Sequence, residues 1–292
     1  MIIVRIWGGL GNQMFQYALG YAFAQDYKDI LKLDTSFYQE KHNSRQTVRS
    51  LDLYKLPISC KEEVNGPSDL GYVIKLLKNP YINYAIRKFL PITFSIGEFV
   101  YVKEHQLEYI PDLENLPNNN YYFDGYWHCE KYFVKYRNSL LSQFVFTNSQ
   151  IEKAFSEISV NNKYETVAVH IRRGDYITQN NPNARGVEYY REAINKIKSV
   201  INNPRFCFFS DDLSWVKSNF GLIENTVLVN ENRVLNDIEE FQLMAKCHHQ
   251  IISNSSYSWW AAWLNENKSK IVVVPRIWKD KKDMMLDEWI KI

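Results

Sequence analysis

The residues best suited to chemistry lie in one short segment, 170–176 (HIRRGDY), where Arg172 and Arg173 are adjacent and Asp175 follows. The segment comes directly after the apolar run 166–169 (TVAV), which has the composition of a buried strand. Such a strand delivers the polar residues at its end to a loop. Guanidinium groups bind phosphate through paired, bidentate hydrogen bonds, so the two arginines are a candidate anion site. The alternative is that they pair with Asp175 or with a neighbouring carboxylate.

Composition limits the classes of function that the chain could have. Its 292 residues are 46% hydrophobic and 15% aromatic, which suits two folded domains and excludes disorder. Basic and acidic residues nearly balance at 35 and 33, with no basic run, so we expect no nucleic-acid partner. The four cysteines form no C-x-x-C pair, and the chain shows neither a signal-peptide pattern nor a long apolar span. We therefore expect a cytoplasmic protein without a transmembrane segment, compatible with peripheral membrane association.

A second anion-binding pattern begins the chain. Residues 2–7 have the pattern of a strand, 8–13 (GGLGNQ) form a glycine-rich turn, and 14–27 have helical apolar spacing. A strand, a glycine turn and a helix in this order can present backbone N–H groups and the positive end of the helix dipole to a phosphate. The glycines are equally compatible with a tight turn that binds no ligand. Residues 31–34 are predicted to form the second strand.

The middle of the chain is harder to interpret. Prolines punctuate residues 35–120, and helical spacing within 68–89 is interrupted by Pro80, so we expect helices and loops of undetermined order. The segment 121–133 (YYFDGYWHCEKYF) predicts a strand and a turn that are dense in aromatic rings. Such rings serve either as core packing or as a surface that binds the faces of sugars.

The second half of the chain alternates strands with helices. The predicted elements are a helix at 148–160, strands at 166–171, 206–209, 226–229, 250–252 and 271–274, and helices at 187–201, at 237–247 and from 253–256 through Trp263. This alternation predicts right-handed βαβ units and a parallel sheet. Parallel sheets bind ligands beyond the carboxyl ends of their strands. The polar clusters at 170–175, 210–212 and 253–256 all follow strands, so we expect them to meet at one edge.

Together these clusters have the chemistry of a nucleotide site. Arginines suit the phosphates, serine hydroxyls and helix N–H groups suit the phosphate oxygens, and a carboxylate can accept the paired N1–H and N2–H donors of guanine. Asp212 could also be the N-cap of the next helix. Asp211 and Asp212 could instead ligate a metal. We expect no metal, because no further ligand lies nearby in sequence and the arginines already supply positive charge.

Four segments, 8–18, 170–175, 209–212 and 253–260, together resemble the α-1,2-fucosyltransferases of glycosyltransferase family 11. The resemblance implies an α/β fold of the GT-B type with two Rossmann-like domains facing a cleft. We place an N-terminal, acceptor-side domain at 1–155 and a C-terminal, GDP-sugar-binding domain at 156–292.

The same resemblance implies inverting, metal-independent transfer of L-fucose from GDP-β-L-fucose to the 2-hydroxyl of a galactoside, with no cofactor. The expected acceptor is a galactose-terminated oligosaccharide or a lipid-linked glycan, in the synthesis of a surface polysaccharide or oligosaccharide. The alternatives are a transferase with another linkage and a non-catalytic GDP-sugar-binding protein.

The resemblance also assigns roles to residues of this chain. Arg172 would neutralise the departing β-phosphate, and seven further residues would bind the donor. These are Arg173 and Asp175 beside it, His170 and Asp212 at the guanine and ribose, Ser255 and Ser256 at the phosphate oxygens, and Asn12 at the β-phosphate or fucose. From the aromatic segment we select Asp124, Tyr126 and Trp127 as acceptor contacts.

The general base is not transferred by the resemblance. Some related fucosyltransferases with this arginine motif carry a glutamate five residues past its aspartate, and this chain has Asn180 there. Asp34, His42 and Asp124 are candidates in the first domain, each of which could equally be structural, and we select none of them as the base.

Overall fold

The computed structural model describes residues 1–39, 49–64, 79, 81, 84, 93–96, 98–104, 108–160, 162–232, 234–278 and 282–292. Most of the segment 68–89, with its predicted helical spacing, lies outside these residues, as does His42. The chain divides into two units, Met1–Tyr54 with Ile58–Leu140 and Lys55–Pro57 with Leu141–Ile292.

This division falls about fifteen residues earlier than the sequence-based one at 155/156. The helix Ser149–Ser159 belongs wholly to the second unit. Its N-cap, Asn148, donates a hydrogen bond from Nδ2 to Glu239 at 2.8 Å, and Gln242 donates to the carbonyl of Phe144 at 2.7 Å. These long-range contacts hold the start of the helix and the segment that precedes it, and the local sequence does not reveal them.

The first unit is built on a five-stranded sheet in the order β2-β1-β5-β4-β3. Its strands are β1 (Ile2–Arg5), β2 (Leu31–Asp34), β3 (Thr93–Ile96), β4 (Phe99–Lys103) and β5 (Asn120–Asp124). Strand β3 is antiparallel to β4, and the other pairs are parallel. The parallel register places Arg5 opposite Asp34 and Lys103 opposite Asp124, so four charged residues gather at the carboxyl edge.

Helix α1 (Leu10–Tyr27) packs against this sheet and begins four residues earlier than predicted. Gly9 is its N-cap, with its carbonyl accepting from the N–H groups of Asn12 and Gln13. The second half of the glycine-rich segment is therefore the first helical turn. Close packing on β1 requires Gly20, where a Cβ atom would lie 2.5 Å from a methyl of Val4.

The second unit contains a six-stranded parallel sheet in the order β11-β10-β9-β6-β7-β8. Its strands are β6 (Glu165–Ile171), β7 (Pro204–Ser210), β8 (Thr226–Leu228), β9 (His249–Ile251), β10 (Val272–Val274) and β11 (Ile290–Lys291). The five strands predicted in this region and their parallel arrangement are confirmed. The two-residue β11 is too short to show a periodic pattern.

Seven helices follow α1 among the described residues. They are α2 (Arg137–Phe144), α3 (Ser149–Ser159), α4 (Gly174–Thr178), α5 (Val187–Lys198), α6 (Leu213–Phe220), α7 (Asp237–Lys246) and α8 (Ser256–Leu264). The core of the second unit joins the inward residues of β6 and β7 to α5 and α6, as in Val169, Phe208, Ile194 and Val216. Within the described residues, no helix is both long enough and apolar enough to cross a bilayer.

Candidate functional site

The two arginines follow β6 at the carboxyl edge of the second sheet, and both are paired with carboxylates. Arg172 contacts Asp175 at 2.5 Å through one terminal nitrogen and Asp211 at 2.7 Å through the other. Arg173 contacts Asp212 at 3.1 Å through Nε. The pairing foreseen as the alternative is thus present, yet 22% of the Arg172 side chain remains exposed. The guanidinium is held in place at an accessible edge.

Asp211 fixes the loop that carries these arginines. One of its oxygens pairs with Arg172, and the other accepts the backbone N–H of Arg173 at 2.8 Å. A Cβ atom on Gly174 would lie 3.0 Å from the Asp211 carboxylate, so a glycine allows this close approach. The sequence suggested the pair of Asp211 and Asp212 as part of a nucleotide site or, alternatively, as metal ligands. Arg172 and Asp211 are 39 positions apart in the sequence, so no local sequence pattern indicates their contact.

Asp212 begins α6 and also faces the arginine loop. Its Oδ1 accepts the N–H of Trp215 at 3.0 Å, which is the N-cap interaction foreseen as an alternative. Its Oδ2 accepts from Arg173, whose guanidinium lies 4.1 Å from the centroid of the Trp215 ring. The cap and the ion pair coexist, because each carboxylate oxygen serves one of them.

His170 is the last buried polar side chain of β6. It is 7% exposed, and its Nδ1 lies 2.8 Å from the Ser253 hydroxyl. Burial, together with the nearby charge of Arg172, lowers the pKa of His170 to about 3. The imidazole is therefore neutral at physiological pH. It can exchange hydrogen bonds with a nucleoside but cannot contribute positive charge to a phosphate site.

The serine cluster 253–256 leads from β9 into α8. Ser255 occupies the N-cap position, but its hydroxyl does not cap the helix. Tyr176 ties the cluster to the arginine loop by donating to the carbonyl of Asn254 at 2.9 Å. The helix is anchored by three buried tryptophans, Trp259, Trp260 and Trp263. The structure thus brings together all three polar clusters at one edge, as the strand-end rule predicts.

The glycine-rich turn of the first unit is held by its glutamines. Gln13 donates to the carbonyls of Gly8 and Ser50 and accepts the N–H groups of Asp52 and Leu53. Gln16 accepts the N–H of Trp7 and donates to the carbonyl of Gly125. Both glutamine side chains are fully buried, so they hold the surrounding loops and present no ligand surface.

Asn12 lies in the first turn of α1 and is only half-buried. Its Oδ1 lies 3.0 Å from Nε2 of His128. Its amide nitrogen lies against Gly8, where a Cβ atom would come within 2.8 Å of it. Gly8 also has a φ of +82°, a left-handed conformation that favours glycine. Asn12 is therefore held between the glycine turn and His128.

Asp124 is enclosed by a buried network at the carboxyl edge of the first sheet. It accepts from Lys103 Nζ at 2.6 Å and from the Tyr101 hydroxyl at 2.5 Å, and Arg5 lies 3.4 Å away. Burial alone would raise the pKa of Asp124, but Arg5 and Lys103 outweigh it and hold the pKa below its usual value. A buried, strongly paired carboxylate of this kind is a poor general base.

Asp34 is engaged in the same way. Its carboxylate accepts from the Tyr122 hydroxyl at 2.5 Å and from the N–H of Ser36 at 3.0 Å, and it is buried. Both Asp34 and Asp124 therefore have structural partners in the network.

Of the three residues selected as acceptor contacts, only Tyr126 is partly exposed. Its ring lies 4.1 Å from that of Trp7, centroid to centroid. Trp127 is fully buried and has a φ of +60°, an unusual conformation for a bulky residue that costs on the order of 1–2 kcal/mol. Asp124 and Trp127 thus face the interior, because the aromatic segment mainly serves as core.

Comparison with known proteins identifies the family. The family model described as glycosyl transferase family 11 matches residues 72–292. The chain belongs to glycosyltransferase family 11. This glycosyltransferase is 32% identical to the O-antigen biosynthesis glycosyltransferase WbnK of Escherichia coli, over 98% of both chains. It is 30% identical to an α-1,2-colitosyltransferase of Escherichia coli, over 100% of this chain and 99% of the other.

More distant similarities extend to animals and to solved structures. The family 11 chain is 22% identical to galactoside α-(1,2)-fucosyltransferase 2 of Rattus norvegicus, over 90% of this chain and 67% of that one. The NodZ α-1,6-fucosyltransferase soaked with GDP-fucose has a TM-score of 0.52 at 14% identity, covering 90% and 91% of the two chains. Arabidopsis thaliana FUT1 in complex with GDP has a TM-score of 0.51 at 10% identity, covering 94% and 70%. At these identities the two structures show the fold, and the predicted α/β fold of the GT-B type is confirmed.

Proposed function

We propose that this glycosyltransferase transfers L-fucose from GDP-β-L-fucose to the 2-hydroxyl of a galactoside, with inversion and without a metal. The acceptor is a galactose-terminated oligosaccharide or lipid-linked glycan of surface polysaccharide or oligosaccharide synthesis. The observation that carries the proposal is the convergence of Arg172, His170, Asp212 and the start of α8 at one sheet edge. The galactoside α-(1,2)-fucosyltransferases among the relatives support the choice of sugar and linkage.

Arg172 is the proposed catalytic residue. When the bond from fucose to GDP breaks, negative charge develops on the β-phosphate, and a fixed cation stabilises it without reorganisation. Asp175 and Asp211 fix the Arg172 guanidinium before any ligand arrives. Each of these two contacts occupies one N–H donor of Arg172. A guanidinium has five N–H donors, so in this proposal the others bind the phosphate.

Three other groups complete the proposed phosphate site. Arg173 adds a second positive charge beside Arg172 and is itself held by Asp212. Ser255 and Ser256 stand at the start of α8, where backbone N–H groups and the helix dipole favour an anion. Asp175 contributes by orienting Arg172.

The proposed guanine and ribose contacts are Asp212 and His170. The oxygens of Asp212 each have one protein partner, and each oxygen has a second lone pair that can accept a guanine N–H. One third of the Asp212 side chain is exposed. His170 stays neutral and therefore offers a ring nitrogen as a hydrogen-bonding group and no charge.

The partners of the acidic pair support the proposal that the reaction needs no metal. Asp211 and Asp212 both direct oxygens at arginines, and Asp212 also caps α6. Their charge is thereby neutralised by guanidinium groups, which take the part that a divalent cation would play at the leaving group. On the acceptor side, the half-buried Tyr126 beside Trp7 is the proposed contact, and Asn12 is proposed to contact the β-phosphate or fucose.

The test is release of GDP from GDP-fucose, with and without lactose or N-acetyllactosamine, in buffer that contains EDTA. We expect acceptor-dependent release that persists in EDTA and falls about 100- to 1,000-fold in Arg172→Ala, the usual effect of losing one preorganised group at a developing anion. Arg205→Ala is the matched control, because Arg205 lies at the opposite end of β7 against Tyr164. Release that requires a metal, or that survives in Arg172→Ala, would contradict the mechanism.

A second donor is favoured by one comparison. The α-1,2-colitosyltransferase relative matches essentially the whole chain at 30% identity. Colitose is L-fucose without its 3-hydroxyl, so the same site could accept GDP-colitose unless it hydrogen-bonds that hydroxyl. A site built around the hydroxyl rejects the deoxy sugar by about 10⁴-fold or more. The ratio of kcat/KM for the two donors decides between them, and GDP binding without release from either would indicate a non-catalytic binding protein.

A further inference from the structure

Arg185 lies directly before helix α5, whose N-cap is Gly186, and two backbone carbonyls hold its guanidinium. Its Nη2 donates to the carbonyl of Pro182 at 2.8 Å, and its Nε donates to the carbonyl of Asn183 at 3.2 Å. The side chain is half-buried, and within the described part of the chain no carboxylate forms an ion pair with it. Its two bonds use Nε–H and one N–H of Nη2, so the remaining N–H groups of Nη1 and Nη2 are still available as donors.

The loop that carries Arg185 is tied to two polar clusters of the candidate site. The side chain of Asn254, in the serine cluster, donates to Oδ1 of Asn183 at 3.2 Å. The backbone carbonyl of Asn254 accepts from the hydroxyl of Tyr176, in the arginine loop, at 2.9 Å. The N–H of Asn181 donates to the carbonyl of Tyr176 at 2.7 Å. Arg185 is thereby held at the same sheet edge as the arginine loop and the start of α8.

The buried side chain of Tyr190 on α5 lies near the charges of both loops. Burial raises the pKa of its hydroxyl, whereas the charges of Arg185 and Arg173 lower it. The Trp215 ring meets the Tyr190 ring edge-on, with centroids 6.5 Å apart, and the Arg173 guanidinium lies 4.1 Å from the centroid of Trp215. The guanidinium groups of Arg185 and Arg173 therefore flank the same buried aromatic pair.

The arginine loop alone does not match the charge of a diphosphate. Its two arginines pair with three carboxylates, so the ion-paired cluster has one net negative charge. The neutral His170 adds no positive charge. Each phosphate of a nucleoside diphosphate sugar is negative, and the charge on the β-phosphate increases when its bond to the sugar breaks. A further cation at this edge would stabilise both states, and no described carboxylate neutralises Arg185.

We propose that Arg185 binds the diphosphate of the nucleotide donor and supplies the positive charge that the ion-paired arginine loop lacks. The assignment rests on the proposed function, in which GDP-fucose binds at this edge. The available N–H groups of Nη1 and Nη2 form a fork that suits two oxygens of one phosphate. The carbonyls of Pro182 and Asn183 hold the guanidinium before the ligand arrives, which reduces the conformational entropy lost on binding.

Titration calorimetry with GDP and with guanosine, in buffer that contains EDTA, tests the assignment. We expect Arg185→Ala to weaken GDP binding by about 10- to 100-fold, as loss of a charged hydrogen-bonding group does, and to change guanosine binding by less than about twofold. Arg191→Ala removes the same charge from an exposed position on α5 and should bind GDP like the wild type. Equal losses for GDP and guanosine would show that Arg185 only supports the loop, and would overturn the assignment.

Salt dependence distinguishes a contact with phosphate from a structural role of Arg185. Added salt screens charge pairs, so GDP binding should weaken less with rising NaCl concentration in Arg185→Ala than in the wild type. Arg185→Lys keeps the charge but not the fork, and should bind GDP more weakly than the wild type while retaining its salt dependence. This variant keeps the test valid if the alanine variant does not fold. An Arg185→Lys variant with weakened guanosine binding, or an alanine variant with wild-type salt dependence, would overturn the assignment.

GDP binding is measured without a sugar or an acceptor, so failure of the assignment is distinguishable from failure of the proposed function. Selective loss of GDP affinity in Arg185→Ala, with no turnover of GDP-fucose by the wild type, would support the assignment and contradict the proposed transfer. Unchanged GDP binding in Arg185→Ala, with a wild type that transfers fucose, would overturn the assignment alone. A wild type that does not bind GDP would contradict both.

Discussion

Acidification should destabilise this protein through His170 in a measurable way. The pKa of His170 is lowered from 6.5 to about 3, first by burial and then by the charge of Arg172. Between these two pH values the unfolded chain binds a proton that the folded chain does not. Stability from this residue is therefore complete above pH 6.5 and is lost as the pH falls toward 3.

The size of the effect follows from the two pKa values. At pH 5 the unfolded histidine is almost fully protonated and the folded one is not, which amounts to about 2 kcal/mol of unfolding free energy. Other groups titrate in this range, so the comparison must be with a variant. His170→Gln has no titrating ring and can still accept from Ser253.

Urea unfolding between pH 8 and pH 5 measures the difference. We expect the wild type to lose about 2 kcal/mol more than His170→Gln over this range. Direct NMR titration of the His170 ring should show no protonation above pH 4. The account of a buried neutral histidine at the sheet edge would be refuted if the wild type and His170→Gln lost equal amounts of unfolding free energy. It would also be refuted if the His170 ring titrated near pH 6.5.

Two further predictions concern the loops that carry the sites. Asp211→Asn should lower kcat/KM by about tenfold, because Arg172 loses one of the two carboxylates that orient it. Asp287→Asn makes the same change of charge at an exposed position, so an equal effect in steady-state kinetics would show that charge alone is responsible. Gly125→Ala should lower the free energy of unfolding by about 1–3 kcal/mol, since the new Cβ meets Glu104. An unchanged melting temperature in calorimetry would show that the turn accommodates a side chain.

Much of the second unit is readable from sequence because each strand is a short apolar run ended by polar residues. The rule that parallel strands place their carboxyl ends together then predicts that Arg172, Asp212 and Ser255 share one edge, and the structure agrees. Local apolar patterns and one topological rule are therefore enough to predict this edge.

The contacts that local patterns do not reveal are those between distant segments. Asp124 is predicted as an accessible carboxylate, but Lys103, Tyr101 and Arg5 converge on it from two other strands. Trp127 is predicted at an acceptor surface, but a left-handed turn held by Glu104 directs it into the core. The burial of both residues depends on side chains more than twenty positions away in the sequence. The periodicity of a local segment does not predict contacts over that separation.

The most direct test of the central claim is the structure of the product. Incubation with GDP-fucose and lactose in EDTA, followed by NMR of the purified trisaccharide, should show fucose joined in an α linkage to the 2-hydroxyl of galactose. A product with fucose at another hydroxyl would contradict the linkage. A requirement for a divalent cation, with Arg172→Ala as active as the wild type, would contradict the role of the arginine loop.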